Sequence, residues 1–247
     1  MNMKINVFKT VNELIPAVAG YFSATAQDSI SSRGEFNVAL SGGISPKKLY
    51  EMLASPEFEK QIDWDKINFF FGDERNVPKD DPENNALMVR KVLFDPLKIS
   101  ESRIFAVDTT LPPQEASKRY MSAISHHFGD QKIRFDLILL GLGDDAHTAS
   151  LFPYTAVLKD ESASIKAVYV EQKDLYRITM TAPLINQARH IAFLVFGNAK
   201  SKAVYHVLEN GSDPEKYPAQ LIHPENGDLQ WFLDETAASG LQSVNIQ

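Results

Sequence analysis

A polar stretch at residues 141–154, GLGDDAHTASLFPY, contains the residue types that acid–base chemistry uses. It follows an apolar run, FDLILL (135–140), that predicts a buried strand. His147 is the strongest single candidate, because imidazole accepts protons near neutral pH and a turn rich in glycine and aspartate gives a histidine few packing partners. Asp144 or Asp145 is placed to fix the tautomer of that imidazole. The pattern favours a general base.

The same stretch has features of two other kinds of site. Gly141, Gly143 and Ala146 match the G-x-G-x-x-G/A fingerprint of dinucleotide-binding loops. The aspartates between them would lie where the pyrophosphate must bind, and their charge would repel it. A metal site built on Asp145 and His147 lacks a third ligand at a suitable spacing. We therefore predict neither a dinucleotide nor a metal, and no other cofactor.

Composition indicates an ordinary globular chain. The 247 residues, 44% hydrophobic and 23% charged, are enough for one large core, so we predict a single domain over residues 1–247. The absence of cysteine excludes a disulfide framework and favours a reducing compartment, for which the cytoplasm is the expected location. The N-terminus does not resemble a secretion signal, no apolar run is long enough to span a bilayer, and we expect no membrane association. A net charge of -7 with no Lys/Arg block argues against a nucleic-acid partner.

Strand-like runs alternate with amphipathic segments along the chain, which predicts an α/β fold with helices on both faces of a mostly parallel sheet. The segment SGGISP (41–46) is expected to turn at its glycines and to start a helix, with Ser45 as the cap and Pro46 in the first position. The predicted helices cover residues 11–31, 83–93, 114–128 and 198–209. The predicted strands cover residues 36–40, 67–71, 103–107, 135–140, 167–170, 177–181 and 190–197, with a last strand opening LQWFLDETAA (229–238).

Ligands of open α/β sheets bind at the carboxyl ends of the strands, so the segments that follow the strands are the candidate binding residues. Together these segments supply small backbone donors, an arginine, a base and a lysine, which suit a phosphate held beside acid–base chemistry. The four segments are Ser41 to Gly43, Asp73 to Arg75, Asp144 to His147 and Gly197 to Lys200.

Each of these residues also has an ordinary structural explanation. The two glycines after residue 41 are typical of plain chain reversal. Arg75 fits an exposed ion pair, Lys200 fits a solvent-exposed position in a helix, and Arg177 fits the flank of a strand. No single residue decides the function.

Taken together, the motifs resemble those of the 6-phosphogluconolactonases over nearly the whole chain. The resemblance rests on LSGGISP, FFFGDERNVP, GLGDDAHTASLFP, RITMTAPLINQARHIAFLVFGNAK and WFLDETAA in this order. That family shares a Rossmann-like parallel sheet with the glucosamine-6-phosphate deaminases and ribose-5-phosphate isomerases. The deaminases resemble DGHIAFNEP and DEY at two points where this chain has HTASLFP (147–153) and DER (73–75), so the resemblance is to the lactonase branch.

The resemblance implies hydrolysis of 6-phospho-D-glucono-1,5-lactone to 6-phosphogluconate, in the oxidative pentose phosphate pathway. His147 falls on the position of the general base, with Asp145 as its orienting partner. The chain has no G-x-S-x-G elbow and no cysteine, so water rather than a covalent nucleophile is the expected attacking group. We expect a monomer or a weak homo-oligomer. The positions that match substrate contacts are Ser41, Gly42, Gly43, Asp73, Arg75, Arg177 and Lys200.

Three positions depart from the family pattern. Ala146 and Tyr154 stand where glycine is usual, and Ile44-Ser45 stands where Ser-Thr is usual. Ala146 is expected to cost little if its backbone lies in an ordinary conformational region, and Ile44 removes a hydroxyl that would face the substrate. These departures bear on substrate affinity more than on the type of reaction.

Two alternatives remain at this point. An aminosugar-phosphate isomerase or deaminase would use the same fold, but the missing DGHIAFNEP motif counts against it. A non-catalytic sugar-phosphate sensor would keep Arg75 and Lys200, but it has no need of His147.

Overall fold

Two sheets form the framework of the computed structural model, which describes residues 2–242. The larger sheet has six parallel strands in the order β1-β9-β8-β5-β2-β3, and the smaller is antiparallel in the order β4-β7-β6. The strands are β1 (Asn2–Phe8), β2 (Phe36–Leu40), β3 (Ile67–Phe71), β4 (Asp73–Arg75), β5 (Leu137–Leu140), β6 (Ile165–Val170), β7 (Leu175–Met180), β8 (His190–Val195) and β9 (Asp228–Asp234).

The helices cover both faces of the larger sheet. They are α1 (Val11–Arg33), α2 (Ile44–Leu53), α3 (Pro56–Glu59), α4 (Asn85–Val89), α5 (Asp95–Leu97), α6 (Pro113–Phe128), α7 (Ala182–Ile185), α8 (Ser201–Leu208) and α9 (Glu235–Ala238). The predicted helix at 83–93 is α4 followed by a π-helical turn, Arg90–Phe94, and the one at 198–209 begins with a 3₁₀ turn before α8. Within residues 2–242, no helix is long and apolar enough to cross a membrane.

The hydrophobic core lies on both sides of the larger sheet because neighbouring side chains of a strand point to opposite faces. In β3, Phe69 and Phe71 pack with the residues of α1 and α2, whereas Phe70 packs with those of α6. Every residue of β2 and β3 is buried, as expected for parallel strands covered on both faces. The predicted α/β class, with a mostly parallel sheet between helices, is confirmed.

The strand order reverses between β2 and β5, and this reversal determines where a ligand can bind. From β2 the chain adds β3 on one side, then crosses back to place β5, β8 and β9 on the other side. The segments that follow β2 and β5 therefore separate at their carboxyl ends and leave a crevice between them. These segments are the glycine loop (residues 41–43) and the histidine loop (residues 141–154).

Two local predictions were wrong, and one strand was missed. Residues 103–107 form no strand; Ile104 makes a single bridge to Phe69. The predicted loop Asp73–Arg75 is strand β4, because it pairs with β7 about a hundred positions later in the chain, which no local pattern reveals. The N-terminal strand β1, which pairs with β9, was not predicted at all.

The start of α2 also differs from its prediction. The helix begins at Ile44 and its capping residue is Gly43, whose φ of 104° only glycine adopts without strain. Ser45 makes no capping hydrogen bond, and Pro46 is the third helical residue rather than the first. The glycine loop therefore leads directly into the helix.

Candidate active site

A cleft of about 610 Å³ lies across the switch point, at the carboxyl ends of the parallel strands. It is enclosed by the glycine loop, the histidine loop, and strands β4 and β7 of the smaller sheet. Among the residues that the resemblance predicts for catalysis and substrate binding, Asp145 alone lies outside the lining, where it contacts His147. The other predicted site residues, Ser41, Gly42, Gly43, Asp73, Arg75, His147, Arg177 and Lys200, all line the cleft.

His147 is held in one orientation by Asp145. The Nδ1 atom of the imidazole lies 2.5 Å from Oδ1 of Asp145, and the same oxygen accepts the backbone N–H of His147 at 3.1 Å. The Nε2 atom has no protein partner in the described part of the chain, so it is the nitrogen available to the cleft. Burial raises the pKa of Asp145, but the hydrogen bonds from His147 outweigh it and hold that pKa below its usual value.

Packing in the histidine loop fixes the ring further. The imidazole stacks on Phe152 with ring centroids 4.0 Å apart and an interplanar angle of 21°. A Cβ on Gly143 would lie 2.0 Å from Nδ1 of His147, so only glycine leaves room for the imidazole there. Thr148 closes the turn by donating its hydroxyl to the carbonyl of Gly141 at 2.8 Å.

The two positions where this chain replaces a usual glycine of the loop have strained backbones. Ala146 has φ 63° and Tyr154 has φ 62°, both in the left-handed region. The condition under which Ala146 was expected to cost little is therefore not met, because a Cβ is unfavourable at this φ. Ala146 is buried and its carbonyl accepts the N–H of Ala219, whereas the Tyr154 side chain is exposed.

The glycine loop is anchored by a tyrosine on α2. The Tyr50 hydroxyl accepts the N–H of Ser41 at 2.9 Å and donates to the carbonyl of Ser41 at 2.8 Å. Burial raises the pKa of Tyr50, which keeps this hydroxyl protonated and able to donate. No described residue accepts the N–H of Gly42 or of Gly43. The loop thus presents two backbone donors beside the cleft.

Two arginines face the cleft from neighbouring strands. Arg75 on β4 pairs directly with Arg177 on β7 in the antiparallel register. Arg75 donates to the carbonyl of Glu83 and lies 3.8 Å from its carboxylate. Arg177 is only 7% exposed, and its buried Nε has no hydrogen-bond partner within residues 2–242. Burial and the neighbouring Arg75 charge lower the pKa of Arg177.

Like charges placed directly opposite each other destabilise a strand pair, so this arrangement needs a reason. An anion bound between the two guanidinium groups would relieve the repulsion and satisfy the donors that lack partners. The pair of cross-strand arginines therefore indicates an anion-binding site at this end of the cleft.

The remaining acidic residues of β4 are engaged within the protein. Asp73 accepts the hydroxyl of Ser150 at 2.6 Å, which ties β4 to the histidine loop. Glu74 is 1% exposed and accepts three backbone N–H groups, from Arg75, Asn85 and Ala86. Burial raises the pKa of Glu74 to about 7, against the lowering effect of these three donors.

Lys200 lies in the cleft wall but already has a partner. Its Nζ is 2.6 Å from Oδ1 of Asp144, the exposed first aspartate of the histidine loop. A phosphate contact by Lys200, as the sequence suggested, competes with this ion pair. The two aspartates of the loop are thus distinguished by the structure, because Asp145 contacts the histidine and Asp144 contacts the lysine.

Sequence reasoning missed three residues that line or brace the cleft. Lys173 adds a further cation to the lining, and Asn85 lies against Gly42. Ser150 bridges to Asp73. Ser150 lies within the HTASLFP motif and was open to prediction, whereas Lys173 and Asn85 carry no local signal. Across residues 2–242, no group of three or more His, Asp or Glu side chains is arranged to hold a metal ion.

The family model described as glucosamine-6-phosphate isomerases/6-phosphogluconolactonase matches residues 9–231 of this chain. The chain belongs to this family. The family includes curated relatives named 6-phosphogluconolactonase from a Synechocystis species, 41% identical over 87% of this chain and 88% of the relative, and from a Nostoc species, 37% identical over 98% and 99%.

A solved structure supports the same assignment of the fold. The 6-phosphogluconolactonase from Trypanosoma cruzi superposes with a TM-score of 0.87 at 27% identity, covering 98% of this chain and 98% of that chain. This chain therefore has the same fold as that structure over nearly its whole length.

Proposed function

We propose that this protein hydrolyses 6-phospho-D-glucono-1,5-lactone to 6-phosphogluconate, the lactonase step of the oxidative pentose phosphate pathway. Relatives named 6-phosphogluconolactonase match it over most of its length. The observation that carries the proposal for this chain is that one cleft contains an oriented histidine with a free Nε2 and a pair of opposed arginines. Hydrolysis of a phosphorylated lactone uses a base beside the ester carbon and an anion site that binds the phosphate.

His147 acts as the general base in this proposal. Its Nε2 removes a proton from a water molecule as the water oxygen attacks C1 of the lactone. Asp145, an acceptor at Nδ1, fixes the tautomer and stabilises the imidazolium that forms. The imidazolium then gives the proton to the ring oxygen as the bond between C1 and that oxygen breaks. The product acid loses a proton at neutral pH, so one proton is released in each turnover.

Backbone donors and cations hold the rest of the substrate. The N–H groups of Gly42 and Gly43 stabilise the negative charge that develops on the carbonyl oxygen. Arg75 and Arg177 bind the phosphate, whose charge of about -1.5 to -2 matches two guanidinium groups. Lys200 contributes a third cation when the phosphate displaces Asp144. Ser41 and Asp73 complete the substrate-binding wall.

The direct test is release of protons from the lactone by the purified protein, followed with a pH indicator in weak buffer and corrected for spontaneous ring opening. We expect fast hydrolysis of the 6-phosphorylated lactone and slow hydrolysis of plain δ-gluconolactone. A rate equal to the spontaneous one would refute the proposal. Release of ammonia from glucosamine 6-phosphate would favour the deaminase alternative, and binding without turnover would favour a sensor.

The other attributes of the protein stay predictions. We propose that residues 1–247 form one domain, although residue 1 and residues 243–247 lie outside the described residues. A cytoplasmic location and a monomeric or weakly associating state are proposed on the same footing, with no nucleic-acid or membrane partner. The sedimentation of purified protein over a range of concentrations tests the state of association.

A further inference from the structure

Asn85, the first residue of α4, has an unusual environment for an asparagine. Its side chain is 1% exposed, and its Oδ1 is buried without a hydrogen-bond partner within the described chain. Such an unpaired acceptor costs free energy, so its retention calls for an explanation. Asn85 also lines the cleft proposed as the active site.

The carboxamide of Asn85 occupies the space beside Gly42. A Cβ built on residue 42 would lie 1.8 Å from Oδ1 and 2.3 Å from Cγ of Asn85, which no real contact permits. Gly42 is not among the residues with positive φ, so its backbone is open to any amino acid. The requirement for glycine at position 42 therefore comes from Asn85 and not from the backbone.

The rest of Asn85 is anchored to strand β4. Its Nδ2 donates to the carbonyl of Asp73 at 3.0 Å, and its backbone N–H donates to Oε1 of Glu74 at 2.7 Å. Asp73 in turn accepts the hydroxyl of Ser150 in the histidine loop. A continuous set of contacts thus runs from the glycine loop through Asn85 and β4 to the loop that carries the base.

We propose that Asn85 is a positioning residue that sets the glycine loop against the histidine loop, so that the N–H donors of Gly42 and Gly43 face the developing oxyanion while His147 faces the water. The proposal rests on the proposed lactonase function. Asn85 fixes the separation of the two loops because its carboxamide packs on Gly42 while its Nδ2 and its backbone N–H donate to β4. The buried Oδ1 gives up a hydrogen bond to keep that packing.

The first test compares Asn85→Ala with the neighbouring Asn84→Ala. Asn85→Ala removes the packing on Gly42, so kcat should fall by about 10²-fold, the effect of misplacing a reacting group by about 1 Å, while KM changes little. Asn84 is equally buried and accepts the N–H of Leu87 as the cap of α4, but it does not line the cleft. Asn84→Ala should lower the melting temperature and leave kcat unchanged.

The second test uses Gly42→Ala in two backgrounds. In the parent protein the added methyl group must displace Asn85, so kcat should fall about as far as in Asn85→Ala. In the Asn85→Ala background the space beside residue 42 is free. Adding Gly42→Ala there should lower kcat by less than about threefold, and this non-additivity would show strong coupling between the two positions. A merely structural effect on folding does not produce this pattern in kcat.

The outcomes separate this inference from the proposed function. Parent protein without lactonase activity refutes the function itself. If the parent protein is active and Asn85→Ala keeps the parental kcat, the positioning role is refuted. If Asn85→Ala also raises KM while kcat is unchanged, Asn85 contacts the substrate directly instead. The positioning role is also refuted if the fold-loss of kcat in the double variant equals the product of the fold-losses in the two single variants.

Discussion

The Nδ1 atom of His147 lies 2.5 Å from Oδ1 of Asp145, two residues earlier in the same turn. This contact leaves Nε2 as the nitrogen that faces the cleft, and it distinguishes Asp145 from Asp144, which binds Lys200 instead. The residue pattern alone allowed either aspartate to orient the histidine, and the family resemblance implied that Asp145 does so. The geometry assigns one carboxylate to the imidazole and the other to a cation.

Asp145→Asn is expected to lower kcat by about 10- to 100-fold, because a charge-assisted hydrogen bond contributes about 1.5–3 kcal/mol. The matched control is Asp144→Asn, which breaks only the ion pair with Lys200 and should change KM more than kcat. Initial rates over a range of lactone concentrations measure both constants. Equal losses of kcat in the two variants would contradict the assignment.

Arg177→Met is expected to raise KM for the phosphorylated lactone by about 10- to 100-fold with a smaller loss in kcat, because the phosphate is remote from the reacting carbon. Methionine keeps most of the apolar stem of the side chain and removes the guanidinium, with both its charge and its N–H donors. The ratio of kcat/KM for the phosphorylated lactone to kcat/KM for the plain lactone should fall by a similar factor. Arg75→Met should have the same effects.

Arg90→Met is the control for the arginine variants, since Arg90 binds Glu101 at the surface and does not line the cleft. It should leave both KM and the preference for phosphate unchanged. If Arg177→Met preferred the phosphorylated lactone over the plain lactone as strongly as the parent protein does, the phosphate would have to bind elsewhere.

Glu74 makes the stability of the protein depend on pH. A glutamate ordinarily titrates near 4.5, whereas burial raises the pKa of Glu74 to about 7 in the folded state. The folded protein therefore holds a proton that the unfolded chain releases, and the stabilisation present below 4.5 is lost as pH rises towards 7. The slope is at most about 1.4 kcal/mol per pH unit.

Glu74→Gln does not titrate, so the free energy of unfolding of the parent protein should fall relative to that of the variant between about pH 5 and pH 7. Urea unfolding at each pH gives the difference. Glu115→Gln, at an exposed position, is the control for replacing any glutamate by glutamine. A difference between parent and Glu74→Gln that stays constant with pH would show that Glu74 ionises in both states alike.

Ala146→Gly should raise the free energy of unfolding by about 0.5–1 kcal/mol. Removing the Cβ relieves about 1–2 kcal/mol of left-handed strain, and the extra freedom of glycine in the unfolded chain offsets about 0.4–1 kcal/mol of it. Ala203→Gly, at an equally buried position inside α8, should have the opposite sign and destabilise by about 1 kcal/mol. Destabilisation by both substitutions would show that the strain at Ala146 is negligible.

The sequence allowed prediction of the parts of the site that are local in the chain. The glycine loop, the histidine loop and the lysine after β8 each follow a recognisable apolar strand, and parallel strands bring their carboxyl ends together at one edge. The alternation of strands and helices likewise predicted the parallel sheet. These features depend on patterns a few residues long.

Features that depend on distant pairing were not predictable in this way. The opposition of Arg75 and Arg177 follows from the antiparallel pairing of β4 with β7, and neither segment alone indicates a second sheet. Asn85 reads in the sequence as a residue at a helix start, and only the fold places its carboxamide against Gly42. The left-handed backbone of Ala146 was also hidden, because alanine gives no sign of it.

The central claim is that His147 is the general base, and His147→Asn tests it most directly. The variant should remain folded and keep the KM of the parent protein, because the phosphate contacts are untouched. Its kcat should be lower by about 10²- to 10⁴-fold, the usual contribution of a positioned base. Both rates are corrected for base-catalysed opening of the lactone ring in the absence of protein. A folded His147→Asn protein with parental kcat would contradict the account and move the search for the base to the neighbouring carboxylates.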